Sequence, residues 1–368
     1  MRICFLGNAS SPHLERWISN VLKHGLDAVV VSNVPASIKD VEMAVCPRVT
    51  SLRQMWREQK RLIRRFDPDI LHAHFVDQFA LVVQWLDIPY VLTPWGSDIY
   101  FPFPDRFKGN NRKLKWMLLR RAYRKARVVT ALSPYMAKVL KERLGATSRN
   151  TILLGFGTPA VRSVKKDERI RVRRLRGAGE ETMVFFSPRA CRPLYNTKEV
   201  VQGFIGALPA LRGTQLWVSE FNVDRDYLAR IKSIVIKKGA EQAVLFLEPD
   251  VPEDLHVRLF AADVIVSVPD SDGMPLSIVQ AFSQGRPVLF KKIPQMEGLI
   301  YDGRHGYSVE SATREDLQKA FVKIYQSRNR LGELGRQCLT HFKSFPTEQE
   351  EMHRMCEIYK KLASGEHV

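Results

Sequence analysis

The chain has 368 residues, of which 45% are hydrophobic and 26% are charged, so it is long enough for two domains and apolar enough to bury a core in each. Its formal net charge is +18, and residues 1–150 contain 25 basic against 12 acidic side chains, which predicts an anionic partner for the first half: nucleic acid, an anionic membrane surface or a phosphorylated substrate. Five scattered cysteines without a C-x-x-C pair argue against a disulfide framework and a structural zinc site. Because neither a signal peptide nor a spanning helix is apparent, we expect a cytoplasmic protein.

Short β-rich segments alternate with helical patterns along the first half of the chain. The predicted strands are Arg2–Leu6, Ala28–Ser32, Ile70–Ala73, Tyr90–Thr93 and Val128–Ala131. Between the first two, residues 12–25 have apolar side chains at helical spacing and end at a glycine. This alternation predicts βαβ units on a parallel sheet.

The same alternation begins again after a basic, glycine-containing stretch, Val161–Glu181. Helical patterns cover Lys198–Leu208, Tyr227–Lys238 and the tail Glu348–Leu362. The sequence therefore predicts a second doubly wound α/β domain of similar size. Its predicted strands are Met183–Phe186, Gln215–Ser219, Val244–Leu247, Val264–Val268 and Pro287–Phe290.

Loops that follow strands are the expected ligand sites, because open parallel sheets bind ligands at the carboxyl ends of their strands. The loop after the first strand, Gly7–Pro12, consists of small residues that allow a ligand to approach the backbone, and a helix begins behind it. It lacks the G-x-G-x-x-G fingerprint of dinucleotide-binding domains.

The most specific segment follows the predicted strand Val264–Val268. A polar turn at Asp272 and Gly273 precedes a helix that begins near Pro275, and Gln280 lies eight residues after Asp272, about two turns into that helix. Backbone N–H groups at such a turn attract an anion. An ordinary helix N-terminus with a polar cap is the alternative interpretation.

This segment is similar to the D-G-x-P-x-S-x-x-E-A variant of the E-x7-E motif of the retaining glycosyltransferases of family 4. Those enzymes have the GT-B fold, in which two Rossmann-like domains face each other across a cleft and the last helix crosses back to the first domain. In the family the first acid lies by the donor sugar and the second binds the ribose. The resemblance implies a catalytic role for Asp272 and donor binding by Gly273, Met274, Pro275, Leu276 and Gln280. Gln280 replaces the second Glu, so it keeps hydrogen-bonding capacity but loses the charge.

A second segment, Arg189–Asn196, resembles the phosphate-binding loop of the same family. Arg189 matches the arginine that stabilises the leaving diphosphate in the family. The family has a lysine five residues later, where this chain has Leu194, so we expect Arg192 to act as a geometric substitute. A solvated surface arginine is the alternative for either residue.

In the first domain, residues 67–75 resemble the family's D-x-x-H-x-H segment and residues 91–98 resemble its H-G-x-D loop. We expect His72 and His74 on opposite faces of their strand, one in the core and the other, which we take to be His74, lining the cleft in a catalytic role. Trp95 stands where family members often have His. Because indole cannot accept a proton, we expect Trp95 to offer a flat apolar face to a sugar ring.

The remaining candidates in the first domain are less specific. Asp98 is either an acceptor-side group or a loop-capping carboxylate, His13 is placed on the acceptor side, and Gly7 is placed at the donor. The resemblance extends over nearly the whole chain at ordered positions. It implies an acceptor domain, 1–157 with 346–368 packed against it, and a nucleotide-sugar domain, 158–345.

The resemblance implies transfer of a hexose-type sugar, with retention, from a nucleotide diphosphate sugar to a glycan or lipid-linked acceptor in envelope or surface polysaccharide synthesis. It implies no cofactor and no obligatory metal; Asp270-Ser271-Asp272 has the spacing of a metal motif but lies where the family binds sugar without metal. A nucleotide-sugar 2-epimerase of the same fold and a non-catalytic partner subunit are the alternatives. The two departures at Leu194 and Gln280 keep the second alternative open.

The densest positive charge lies in Arg112–Arg127, where eight of sixteen residues are Lys or Arg and Trp116 and Tyr123 are interleaved. On a helix this segment is amphipathic with a cationic face. We expect it to dock on the inner face of the cell membrane, and a solvated face is the alternative. No nucleic-acid-binding motif accompanies the charge, so we expect no nucleic acid partner.

Overall fold

The computed structural model describes residues 1–46, 51–75, 78–100, 112–155, 157–158, 161–248, 252–273 and 275–366. The chain divides into two compact units. The first consists of Met1–Gly157 together with Thr347–Val368, and the second is Thr158–Pro346. Within the described residues, no helix combines the length and apolarity needed to cross a membrane.

The first unit contains a seven-stranded sheet in which every pairing is parallel. Its strands are β1 (Arg2–Gly7), β2 (Asp27–Ser32), β3 (Glu42–Val45), β4 (Ile70–His74), β5 (Tyr90–Thr93), β6 (Val128–Ala131) and β7 (Thr151–Leu153). The helices between them are α1 (Pro12–Lys23), α2 (Leu52–Phe66), α3 (Gln78–Val82), α4 (Ser97–Tyr100), α5 (Arg112–Lys125) and α6 (Pro134–Val139). The strand order is β3-β2-β1-β4-β5-β6-β7.

The central strands of this sheet are mainly apolar because helices cover both of its faces. β4 and β5 are buried at every position. One face packs against the apolar side of α1 and the other against α2, α3 and α5. Polar side chains on these strands therefore need partners inside the core, which makes His72, His74 and Thr93 conspicuous.

The second unit contains a six-stranded parallel sheet. Its strands are β8 (Met183–Ser187), β9 (Thr214–Ser219), β10 (Val244–Leu247), β11 (Val264–Ser267), β12 (Val288–Lys291) and β13 (Gly306–Val309). Its helices are α7 (Lys166–Arg174), α8 (Thr197–Ala207), α9 (Arg225–Lys237), α10 (Pro252–Ala261), α11 (Leu276–Ser283), α12 (Arg314–Gln326) and α13 (Leu331–Phe342). The strand order is β10-β9-β8-β11-β12-β13.

The last helix, α14 (Glu348–Ala363), packs on the first unit, as the resemblance implied. A capping box between Thr347 and Glu350 begins it. Its apolar stripe joins the core beneath α1, and the Arg16 guanidinium holds the Glu348 carboxylate with two contacts of 2.6 Å. The buried Glu351 carboxylate accepts a hydrogen bond of 2.8 Å from the backbone N–H of Gly155.

The α/β doubly wound fold and all ten predicted strands are confirmed. Three strands were not predicted, β3, β7 and β13, and each lies at an edge of its sheet. The basic stretch Val161–Glu181 is partly helical, because it contains α7. Its Arg173 is buried and donates to the carbonyl of Ala261 at 2.7 Å, so this arginine supports the fold.

Candidate functional site

Each sheet has a topological switch point. There the chain stops adding strands on one side of the sheet's first strand and begins to add them on the other side. In the second unit this point lies between β8 and β11, and in the first unit it lies between β1 and β4. The loops that follow these strands form a crevice in which doubly wound sheets bind ligands. The two motifs predicted in the second unit follow β8 and β11, and thus meet at its switch point.

An ion pair between Arg189 and Asp272 joins these two loops. The Arg189 Nη2 atom lies 2.5 Å from Asp272 Oδ2, and Nη1 donates to the Ser277 hydroxyl at 2.8 Å. The guanidinium also lies over the ring of Tyr195, 4.5 Å from its centroid. Both charged side chains are only 11% exposed. The structure therefore brings together the two predicted site residues that lie 83 positions apart in the chain.

Burial and charge act in opposite directions on Asp272. Burial raises the pKa of the Asp272 carboxyl group, while the Arg189 charge and a hydrogen bond from the Gly273 backbone favour the ionised form. Removing Arg189 would leave a buried carboxylate without its cation, which is a costly arrangement. The pair is thus a rigid element at the mouth of the switch point.

The helix after this loop, α11, begins one residue later than expected. Pro275 has φ −76° and ψ 80°, outside the helical region, so the helix starts at Leu276. Gln280 is therefore the fifth helical residue, a little more than one turn in, and the expected two turns are wrong. Gly273 lies in the turn, Pro275 is buried, and Leu276 and Gln280 are partly exposed. Met274 lies outside the described residues.

A second charged group at the same edge was missed by the sequence reasoning. The Lys291 ammonium, at the end of β12, lies 2.7 Å from Asp270 Oδ1, and the Asn196 amide donates to the same oxygen at 2.9 Å. Although partial burial acts in the opposite direction, the hydrogen bonds from Lys291 and Asn196 lower the pKa of Asp270. Asp270 and Asp272 thus each have a cationic partner.

Arg192 lies apart from this arrangement. It is exposed, and its guanidinium donates to the carbonyl oxygen and to Oδ1 of Asn222, both at 2.8 Å. The structure does not bring Arg192 to Asp272, and its expected role at the diphosphate stays a prediction. Among the described side chains, no three His, Cys, Asp or Glu residues are grouped so as to hold a metal ion.

At the switch point of the first unit, Gly7 ends β1 beside His74 at the end of β4. A Cβ atom on Gly7 would lie 3.4 Å from the Cβ of His74, so the two strand ends are in close contact here. The Trp95 indole stacks on His74 with ring centroids 5.6 Å apart and on His13 with centroids 4.9 Å apart. Four residues that we selected from the sequence therefore form one cluster: Gly7, His13, His74 and Trp95.

The expectation that His72 and His74 lie on opposite faces is wrong. Residues two apart on a strand point to the same face, and the two imidazoles are 4.2 Å apart. His72 hydrogen-bonds the Tyr359 hydroxyl at 2.5 Å and the Thr93 hydroxyl at 2.7 Å. Since burial lowers the pKa of His72 well below its usual value, this ring is neutral and serves to fasten α14 to the sheet.

His74 differs from its neighbour because neither ring nitrogen has a hydrogen-bond partner among the described residues. The side chain is 1% exposed, and burial, followed by the charge of His13, lowers the pKa of His74 to about 3. A buried polar group without a partner is uncommon in folded proteins. The neutral imidazole thus carries one donor and one acceptor that no described residue engages.

The other two acceptor-side candidates shape the loop after β5. Oδ1 of the buried Asp98 accepts hydrogen bonds from the backbone of Trp95 at 2.9 Å and of Gly96 at 2.8 Å, which is the loop-capping role. Trp95 is not the open platform that we expected, because His13 and His74 stack on its ring. His13 lies at the exposed surface, with its ring stacked on Trp95.

Two family models match the chain, one for each unit. The model described as glycosyl transferase 4-like matches residues 2–133. The model described as glycosyl transferases group 1 matches residues 194–338, which include Asp272 and Gln280.

Curated relatives and solved structures agree with these models. A glycosyltransferase assigned to teichuronic acid biosynthesis in Bacillus subtilis is 27% identical over 249 residues, 65% of this chain and 56% of that protein. A D-inositol 3-phosphate glycosyltransferase of Nocardia farcinica is 30% identical over 108 residues, 29% of this chain and 24% of that protein, so less than two thirds of either relative is aligned. The crystal structure of Anabaena Alr3699/HepE in complex with UDP is similar with a TM-score of 0.79 and 15% identity, covering 98% of this chain and 100% of that one. This likeness shows that the fold is GT-B.

Proposed function

We propose that this chain, which belongs to the family 4 type of glycosyltransferases, transfers a hexose-type sugar with retention from a nucleotide diphosphate sugar to a hydroxyl of a glycan or lipid-linked acceptor. The observation that carries the proposal is the Arg189–Asp272 ion pair at the switch point of the second sheet. It combines a fixed cation for a diphosphate with a carboxylate for a sugar, and both come from motifs that resemble the family's.

Arg189 is placed to stabilise the leaving group. As the bond between sugar and diphosphate breaks, negative charge develops on the phosphate oxygen, and a preorganised cation lowers the barrier without reorganising. The ion pair and the bond to Ser277 hold the guanidinium in one orientation. Ser277 lies in the first turn of α11, so the positive end of the helix dipole is close to Arg189 and is proposed to favour the diphosphate as well.

Asp272 is proposed to orient the sugar through its remaining oxygen, because Oδ2 is the atom engaged by Arg189. The charge of Arg189 opposes the rise in the pKa of Asp272 that burial causes, so the acid group accepts hydrogen bonds from sugar hydroxyls. Gln280 is proposed to contact the ribose from the second turn of α11. No cofactor and no obligatory metal enter this proposal.

The comparisons support a choice of donor and pathway. HepE is described in complex with UDP and with UDP-glucose, which supports a uridine diphosphate sugar as the first donor to try. The B. subtilis relative is named for teichuronic acid biosynthesis, which supports a role in surface polysaccharide synthesis. For the acceptor hydroxyl, we propose the first-unit cluster, where His74 presents a neutral ring without a partner among the described residues.

The basic helix α5 supports attachment to an anionic membrane surface. Its inner side buries Leu119, Ala122 and Tyr123, while Met117 is 62% and Leu114 44% exposed. Around them the outer side carries exposed cations: Lys113, Arg120, Arg121, Arg124 and Lys125. Apolar side chains within a cationic face match the chemistry of an anionic lipid surface. We propose peripheral placement at the inner face of the cell membrane.

The function is tested by incubating the protein with a panel of nucleotide sugars, with and without membrane lipid extract, and measuring nucleotide release. Acceptor-dependent release that falls in Arg189→Ala, but not in the surface control Arg225→Ala, supports the proposal. Conversion of the donor without an acceptor would instead indicate a 2-epimerase. Absence of binding to UDP, GDP and ADP at millimolar concentration in calorimetry would indicate a non-catalytic subunit.

Membrane attachment is tested with anionic and neutral vesicles. Each surface cation contributes on the order of 1 kcal/mol within a Debye length, so changing Arg120, Arg121, Arg124 and Lys125 to Gln should abolish binding to anionic vesicles. The matched control changes four exposed cations of the second unit to Gln: Arg225, Arg230, Lys237 and Lys238. Vesicle binding that survives in the α5 variant, or that is equally lost in the control, argues for a solvated helix face.

A further inference from the structure

We propose that Lys291 binds the diphosphate of the donor and is the second cation of the donor site. The inference rests on the proposed function and names a residue to which neither the motifs nor the comparisons assign a role. It begins from the observation that Arg192, the expected second cation, is engaged with Asn222.

Lys291 is the last residue of β12, which pairs in parallel with β11. Its side chain therefore leaves the sheet at the carboxyl edge, beside the loop that contains Asp270 and Asp272. The Lys291 side chain is 19% exposed, whereas that of the following residue, Lys292, is 49% exposed and pairs with Glu310 at the surface. Lysine side chains are rarely buried, so a mostly buried lysine at the ligand-binding edge of a sheet has a role other than solubility.

The contacts of Asp270 show where the ammonium is held. The Asp270 backbone N–H donates to the carbonyl of Leu194 at 3.0 Å, and its Oδ1 accepts from Asn196 and from Lys291. Leu194 and Asn196 belong to the loop that begins with Arg189. Asp270 thus holds Lys291 beside the loop in which Leu194 stands at the position of the family's lysine. Lys291, which lies about a hundred positions later in the chain, brings a positive charge to that loop.

The Lys291 ammonium can donate hydrogen bonds to a phosphate while it contacts Asp270. It carries three N–H groups, and its contact with Asp270 uses one of them. The Asp270 side chain is 54% exposed, so solvent screens this ion pair and the ammonium can share its charge with a phosphate. Asp270 is then a positioning residue, and Lys291 is the group that touches the donor.

The test measures affinity by calorimetry for UDP, GDP and ADP at low and high salt in five proteins: the parent, Lys291→Gln, Lys291→Arg, Arg192→Gln and Lys292→Gln. Charge-assisted bonds predict that Lys291→Gln weakens binding of the preferred diphosphate by roughly 10- to 100-fold at low salt. The loss should shrink at high salt because screening already weakens this contact in the parent. Lys291→Arg should restore most of the affinity, and Lys292→Gln should leave it unchanged.

Three results would overturn the inference. One is unchanged affinity in Lys291→Gln together with a loss in Arg192→Gln, which would make Arg192 the second cation. Another is an equal loss in Lys291→Gln and Lys291→Arg that does not depend on salt, which would assign Lys291 to packing. Failure of the parent to bind any of the three nucleotides would refute the proposed function itself and, with it, this inference.

Discussion

The switch points of the two sheets occupy equivalent places in the same topology, yet they carry opposite chemistry. In the second unit, Arg189, Asp272, Asp270 and Lys291 form two ion pairs at the carboxyl edge. In the first unit, the crevice beside Gly7 is lined by stacked aromatic rings and by the neutral, buried imidazole of His74. Fixed charges suit a diphosphate, whereas a neutral donor and acceptor suit a hydroxyl. The fold thus supplies two similar crevices, and side chains alone differentiate them.

The largest expected effect comes from removing the main cation of the charged crevice. Arg189→Ala should cost about 2–4 kcal/mol of transition-state stabilisation, because it removes a donor to the developing charge. The measurement is kcat/KM for nucleotide release, compared with Arg225→Ala, an exposed cation on α9 that should retain near-parental activity. Equal losses in both variants would show that Arg189 has no special role among the cations of the second unit.

The neutral crevice should be sensitive to acid. The pKa of His74 is lowered from 6.5 to about 3 in the folded state, so the unfolded chain binds the proton first and stability is lost as pH falls below 6.5. This residue alone should cost about 2 kcal/mol between pH 7 and pH 5. Urea unfolding of the parent and of His74→Phe at both pH values measures the difference in their losses. Identical pH dependence in the two proteins would contradict a buried neutral imidazole.

Asp272→Asn separates the sugar from the diphosphate within the charged crevice. Turnover should fall by roughly 10-fold or more because the charged hydrogen-bond acceptor for the sugar is lost. Nucleotide diphosphate affinity should remain nearly intact, since Arg189 keeps its charge. Single-turnover kinetics and calorimetry measure the two quantities separately. A parallel loss of nucleotide affinity would place Asp272 at the phosphates instead of the sugar.

The smallest expected effect concerns the departure at Gln280. Restoring a carboxylate with Gln280→Glu should strengthen nucleotide binding by about 1 kcal/mol if this residue faces the ribose hydroxyls. The Kd of the preferred nucleoside diphosphate provides the measurement, with the deoxyribose form as the control ligand. A gain of equal size for both ligands would indicate a different nucleotide pose.

The strands that the sequence reasoning missed all lie at sheet edges, although the edge strand β10 was predicted. The interior strands are mainly apolar, because both of their faces are covered, and such a run can be recognised from the sequence alone. The three missed strands are short edges, β3, β7 and β13, and β3 and β7 have mainly partly exposed or exposed residues. An edge strand has a neighbouring strand on one side only and is less buried, so its residues show a weaker apolar pattern.

The candidate site divides in a similar way. Asp272 and Arg189 were found because each lies in a local motif, and the topology then explains their meeting. Lys291 carries no local signal, since a lysine after an apolar strand is common; only the pairing of β12 with β11 places it near Asp270. His72 and His74 were assigned to opposite faces although a strand's period of two puts them on the same one.

The sequence by itself determined the α/β class, the two doubly wound sheets and the loops in which function lies, because strand periodicity and turn residues act over a few neighbouring positions. Only the tertiary structure showed which side chains contact one another in the candidate site. It showed that Asp98 caps a loop, that His13 and His74 stack on Trp95, that Arg192 binds Asn222 and that Lys291 binds Asp270. Those contacts join residues that are mostly far apart in the chain. Electrostatic and hydrogen-bond energies depend on the distances between such residues and on their burial, and a local stretch of sequence determines neither quantity.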